Sequence, residues 1–207
     1  MLELFVSSFV TLFVVIDPPG CAPIFAGLTT GATAGQRRAM ALRAVGIAAG
    51  ILLAFAVAGQ ALLHALGISL ASFRIAGGIM LFLIALEMVF ERRTQKREDR
   101  AAQAVASPEV EDVSVFPMAM PMIAGPGSIA TVMLMMGRNA GWQGKAAVLA
   151  AMGVNLLLML ASLLAAGAIM RVVGARIEAV ITRLLGVLLA ALAVQFVMDG
   201  LQVTLGA

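Results

Sequence analysis

The sequence Asp17-Pro18-Pro19-Gly20 lies inside one long apolar run, and Gly125-Pro126-Gly127-Ser128 lies inside another. Proline within a helix removes a backbone donor and clashes with the preceding turn, and an adjacent glycine permits non-helical angles. The first motif therefore predicts a helix that stops near Ile16 and a second that runs from Pro18 to about Leu28. Asp17 is placed to cap that second helix, with Pro18 at the favoured first helical position. The second motif predicts a similar interruption, with Ser128 opening the following half-helix. Amides at such helix starts carry partial positive charge and favour a carboxylate, while unwound carbonyls receive cations. Two such breaks meeting inside a bilayer would form a small dipolar cradle. A zwitterion such as a free amino acid suits it, with its carboxylate on the amide ends and its ammonium on carbonyls or Asp17. This is the chemistry of recognition, not of bond-making.

Other residues could serve the same cradle. Asp17 is the one acid deep within a first-half span, and acids inside a membrane are costly and usually functional; a plain helix cap is the competing account. Ser128 and Thr131 lie three apart on one helix face, where they either bond a ligand or bond back to their own backbone. Asn155, near the middle of the fifth run, is a candidate cavity-lining residue, whereas Gln60 and Gln195 read as interhelical hydrogen-bonders. Arg74 and Arg183 occupy matching places near helix starts, either as gating groups or as arginines that snorkel to headgroups. Paired catalytic acids, a His/Cys metal cluster and a Ser-His pair are missing, so no enzyme, metal or cofactor is expected. The single cysteine, Cys21, excludes an internal disulfide, and His64 sits beside a turn.

The elements that must position these residues are membrane spans. Hydrophobic residues make up 62% and charged residues 12% of the 207 residues, and mean hydropathy is +1.05. Soluble domains carry roughly 25% charged residues, so a globule of this composition could not cover itself. Apolar runs fall at 3–28, 40–66, 70–90, 115–137, 144–170 and 178–203, each near the roughly 20 residues that cross a bilayer. Met1-Leu2-Glu3 has no positive region ahead of the first run, so a retained first helix is expected.

Between the third and fourth runs, a polar linker mixes Arg92, Arg93, Lys96, Arg97 and Arg100 with Glu98, Asp99, Glu109, Glu111 and Asp112. The net charge of +3 lacks a basic stripe, so nucleic acid is not an expected partner; the lipid bilayer is. Odd-numbered loops and their helix ends hold eleven Lys and Arg against three in the even-numbered ones, and the termini hold none. The positive-inside rule then puts odd loops in the cytoplasm and both termini outside.

The two halves resemble each other. Pro19 to Pro126 is an offset of 107 positions, and Arg74 to Arg183, within Phe73-Arg74-Ile75-Ala76-Gly77-Gly78 and Thr182-Arg183-Leu184-Leu185-Gly186, is 109. A duplicated unit of three spans enters the membrane upside down in its second copy. The expected architecture is therefore an all-α membrane protein with six transmembrane helices in two inverted three-helix repeats, spans one and four being discontinuous. Its parts are a first repeat over 1–92, a cytoplasmic linker over 93–114 and a second repeat over 115–207. Interrupted helices at matching positions of inverted repeats are the sequence mark of a secondary transporter's substrate site.

Asp17-Pro18-Pro19-Gly20, Phe73 to Gly78, Pro117 to Pro121 with Ala124 to Ser128, and Arg183 to Gly186 together resemble the MarC family. The resemblance covers essentially the whole chain. It implies a multi-pass protein of the bacterial inner membrane that transports glycine, alanine and similar neutral amino acids, with Asp17–Gly20 and Gly125–Ser128 as the cradle. The coupling ion, H+ or Na+, and a homo-oligomeric state are left open by it. A passive facilitator or channel, or an exporter of another small polar solute, is the alternative reading.

Overall fold

A computed structural model describes residues 2–90, 95, 112–139, 141–168 and 174–205, with side chains from 180 onward in the last stretch. Most of the polar linker, with its run of arginines, and Arg171 lie outside the described residues, as does the side chain of Arg176. Span one consists of α1 (Leu2–Ile16) and α2 (Pro18–Leu28). Helices α3 (Ala34–Ala65) and α4 (Leu70–Val89) follow as spans two and three. Span four joins an irregular segment, Ser114–Ile123, to α5 (Pro126–Arg138), and α6 (Trp142–Leu164) and α7 (Gly174–Leu205) are spans five and six. Five stretches are long and apolar enough to cross a membrane, and span four, bent by 51° at its break, makes a sixth.

Local chemistry explains the boundaries. α3 begins at Ala34, six residues before its apolar run, because Thr33 and Gln36 form a reciprocal capping box that admits Arg37 and Arg38 to the helix. Gly67, at φ 69°, makes the turn into α4, whose start Ser69 caps through Ser72 N.

The first half of span four differs from the expected helix. Phe116 (φ −126°, ψ 129°) and Met120 (φ −132°, ψ 125°) are extended. Each precedes a proline, Pro117 and Pro121, whose ring disfavours helical angles in the residue before it. The hydrogen bonds that remain span five residues, Met118 N to Val113 O at 3.3 Å and Ala124 N to Ala119 O at 2.9 Å. The segment is stitched to α3 at its start: Arg43 pairs with Asp112, whose other oxygen accepts from Ser114 N at 2.9 Å.

α4 packs antiparallel along α7, from Gly186 beside Ala85 to Gly200 beside Ala71. A Cβ on Gly78 would lie 2.8 Å from Ala193 O, one on Gly186 3.1 Å from Ala85 O, and one on Gly200 2.9 Å from Ala71 O. Glycine at these three places is what lets the backbones approach, as small residues do in membrane helix pairs. Of their most apolar windows only 28% of residues are buried, against 67% for span one. Span one is thus enclosed by protein, and α4 and α7 turn their Ile, Leu and Val side chains outward to lipid.

Candidate functional site

The first break is built by Asp17. It is buried and takes the left-handed conformation, φ 59° and ψ 64°, which Asp tolerates better than most residues. Its own N–H still bonds Phe13 O at 2.9 Å, and its carbonyl accepts from Cys21 N at 3.1 Å. Pro18 and Pro19 have no N–H, and Gly20 N donates to Asp17 Oδ1 at 3.1 Å. A Cβ on Gly20 would stand 2.3 Å from Asp17 Oδ2, so the carboxylate can fold back over the helix start only because residue 20 is glycine. Every amide of the first turn of α2 is therefore absent or used within the motif. On the other side, Pro18 offers no N–H to the Val14 carbonyl, and the Gly20 N–H goes to Asp17 in place of the Ile16 carbonyl, which Cys21 Sγ meets at 3.7 Å. This break presents the carbonyl end of α1 and a carboxylate, a cation-seeking surface.

The second break has the opposite character. Gly125 (φ −77°, ψ 172°) stands at the N-cap of α5 without a capping side chain, followed by Pro126. The N–H groups of Gly127 and Ser128 thus open the helix with no side chain to receive them, the arrangement that attracts anions. A Cβ on Gly125 would lie 2.3 Å from Pro121 O, so the turn out of the irregular segment needs glycine there.

The two breaks meet. A Cβ on Gly127 would be 3.5 Å from Val15 Cγ1 and 2.5 Å from Ile84 Cδ1. From that contact α1 and α5 run antiparallel toward the end of the bundle that carries Leu2 and Leu205, where Leu4, Ser7, Ser8 and Thr11 of α1 face Met135, Arg138 and Asn139 of α5 across a cavity of roughly 270 Å³. Along this seam Ser8, Thr11, Ser128 and Thr131 are all buried. Thr11 and Thr131 donate back along their own helices, to Ser7 O and Gly127 O, each at 2.7 Å. Ser8 Oγ has no partner. At the other end of span one, a cavity of roughly 130 Å³ lies between Phe25, Thr29, Arg37, Arg38 and Leu163.

Asn155 is fully buried and ties α6 to span one, its Nδ2 donating to Phe9 O at 3.1 Å and to Ala151 O at 2.9 Å, while Oδ1 has no partner. It lines neither of these two cavities. Arg74 and Arg183 stand at opposite ends of the α4–α7 pair, so they do not share one gate. Arg74 Nε is buried without a hydrogen bond, and Arg183 is exposed. Gln195 bonds Asp199 along its own helix at 2.7 Å rather than a neighbouring span.

No local sequence pattern pairs Arg138 with Asp199, 61 positions apart, but the fold does. Arg138 Nη2 lies 2.7 Å from Asp199 Oδ2, and its guanidinium stands 5.5 Å over the Phe196 ring. Among the described residues, no group of three or more His, Cys, Asp and Glu could hold a metal ion.

Several apolar spans, two of them interrupted, define a multi-pass integral membrane protein. The chain belongs to the MarC family of integral membrane proteins, whose pattern it matches over residues 2–205. It is 35% identical to a membrane protein of Methanocaldococcus jannaschii over 97% of both chains. It is also 35% identical to the membrane protein YvbG of Bacillus subtilis, over 98% of this chain and 96% of that one. With the inner membrane protein YhgN of Escherichia coli it shares 31% identity over 95% of both. No solved structure matches the chain.

Proposed function

We propose that the protein is a secondary transporter of small neutral amino acids of the glycine and alanine class, working by alternating access across the bacterial inner membrane. One observation carries the reading: the breaks of spans one and four adjoin at Val15 and Gly127 with opposite polarity. The α1 carbonyl end and Asp17 suit an ammonium, and the uncapped amides of Gly127 and Ser128 suit a carboxylate. The cradle comprises Asp17, Pro18, Pro19 and Gly20 with Gly125, Pro126, Gly127 and Ser128; Thr131 follows one turn along α5, and Asn155 binds the α1 backbone at Phe9. A cavity at each end of span one, with the break between them, fits a site reached alternately from two sides.

The packing supports two inverted repeats. Span one packs on span five as span two packs on span four, span one on span six as span four on span three, and spans three and six pack on each other. Exchanging the halves leaves that pattern unchanged. The charge asymmetry supports an orientation with both termini outside, and the name of the Escherichia coli relative agrees with an inner-membrane location. Asp17 is the candidate carrier of a coupling H+ or Na+.

Thermal unfolding of the purified protein with each amino acid in turn tests the substrate class. Stabilisation by glycine, alanine and serine, and not by lysine, glutamate or phenylalanine, is expected. Stabilisation by charged or large amino acids alone would contradict the class.

A further inference from the structure

The cavity between α1, α5 and α7 is not part of the cradle. Its wall carries Arg138 and Ser8, and Asp199 stands behind Arg138. Arg138 leans over it from the last turn of α5 and is held by two α7 groups three residues apart, the Phe196 ring and the Asp199 carboxylate. Asp199 is in turn gripped by Gln195. Across the cavity Ser8 is 1% exposed and its hydroxyl has no partner, which is costly for a buried donor unless something else meets it. Ser7 lines the same wall and is exposed.

We propose that this cavity is an outer binding site for a small zwitterionic amino acid, which opens the Arg138–Asp199 pair by replacing it. The ligand's carboxylate takes the Arg138 guanidinium and the Ser8 hydroxyl, and its ammonium takes Asp199. Charge pairing decides the ligand class. The Asp199 side chain is only 15% exposed, so a plain anion that captured Arg138 would leave a partly desolvated carboxylate uncompensated, which is strongly unfavourable. A zwitterion exchanges one internal ion pair for two intermolecular ones and strands neither charge. Size permits it: a cavity of roughly 270 Å³ has room for a small amino acid. From this site the buried hydroxyls of Thr11, Thr131 and Ser128 lead along the α1–α5 seam to the break at Gly127. The site rests on the transporter reading for its purpose, since it stands at the outer mouth of the path to the cradle.

The test uses the full chain in lipid nanodiscs, with Cys21→Ser removing the native thiol and Ser7→Cys placing a reporter on the cavity wall. Modification by a charged, membrane-impermeant thiol reagent is timed with and without L-alanine or glycine. Either amino acid should slow modification, while acetate or methylamine at equal concentration should not. Arg138→Gln and Asp199→Asn should each raise the concentration needed for protection by about tenfold or more, the effect of losing one charge-assisted hydrogen bond. The exchanged pair, Arg138→Asp with Asp199→Arg, should recover protection, which separates charge pairing from misfolding. Absence of protection by both amino acids overturns the site, as does unchanged protection in both single variants. Saturable exchange of alanine without protection at Ser7→Cys leaves the transporter standing and removes this site. Protection without exchange leaves the site standing and removes the transporter.

Discussion

Asp17 and Gly20 form one unit: the carboxylate receives the Gly20 amide at 3.1 Å and occupies the space where a Cβ of residue 20 would stand. Gly20→Ala should therefore displace the cap and destabilise the protein by about 1–2 kcal/mol, the range for loss of an N-cap. Gly35→Ala, at a helical position with nothing within 4 Å of the new Cβ, should leave stability unchanged or raise it by up to about 1 kcal/mol. Thermal unfolding of the two variants checks the contrast; equal melting temperatures would mean that the cap contributes nothing.

Asparagine also caps helices and tolerates the left-handed region. Asp17→Asn should keep the fold within about 0.5 kcal/mol of the parent, whereas Asp17→Ala should lose about 1–2 kcal/mol. Transport should nonetheless fail or uncouple in Asp17→Asn, because the charge is gone while the geometry remains. Full transport by a stable Asp17→Asn protein would reduce the aspartate to a cap.

How these features stood in the sequence differs from one to the next. The first break was legible because two prolines, a glycine and a lone acid constrain the backbone through covalent geometry alone. The break at Gly125 was legible for the same reason, but the coil before it was not. Ser114–Ile123 is as apolar as a helix, and only the spacing of Pro117 and Pro121 marks the extended residues that precede them. The early start of α3 was hidden because hydropathy discounts Arg37 and Arg38, although Thr33 and Gln36 carry the cap in plain sight. The Arg138–Asp199 pair depends on how α5 and α7 sit against each other, and no local pattern reports a contact between residues so far apart along the chain.

Asn155 joins the two halves by its bond to the α1 backbone at Phe9. Asn155→Ala should cost about 1–3 kcal/mol, the range for breaking a buried hydrogen bond. A melting temperature equal to the parent's would show that packing alone holds α6 on span one.

Ser7 and Gln36 lie at opposite ends of span one and its following turn. In the Cys21→Ser background, Ser7→Cys should react with impermeant thiol reagents only from outside the cell, and Gln36→Cys only from the cytoplasm. The reverse pattern would invert the orientation drawn from the arginines.

Counterflow of labelled alanine into proteoliposomes preloaded with unlabelled alanine tests the carrier most directly. A saturable overshoot is predicted, abolished in Gly127→Leu, whose side chain would fill the meeting point of the breaks at Val15 and Ile84. Linear, unsaturable flux, or an undiminished overshoot in that variant, would contradict a carrier whose substrate passes between the two breaks.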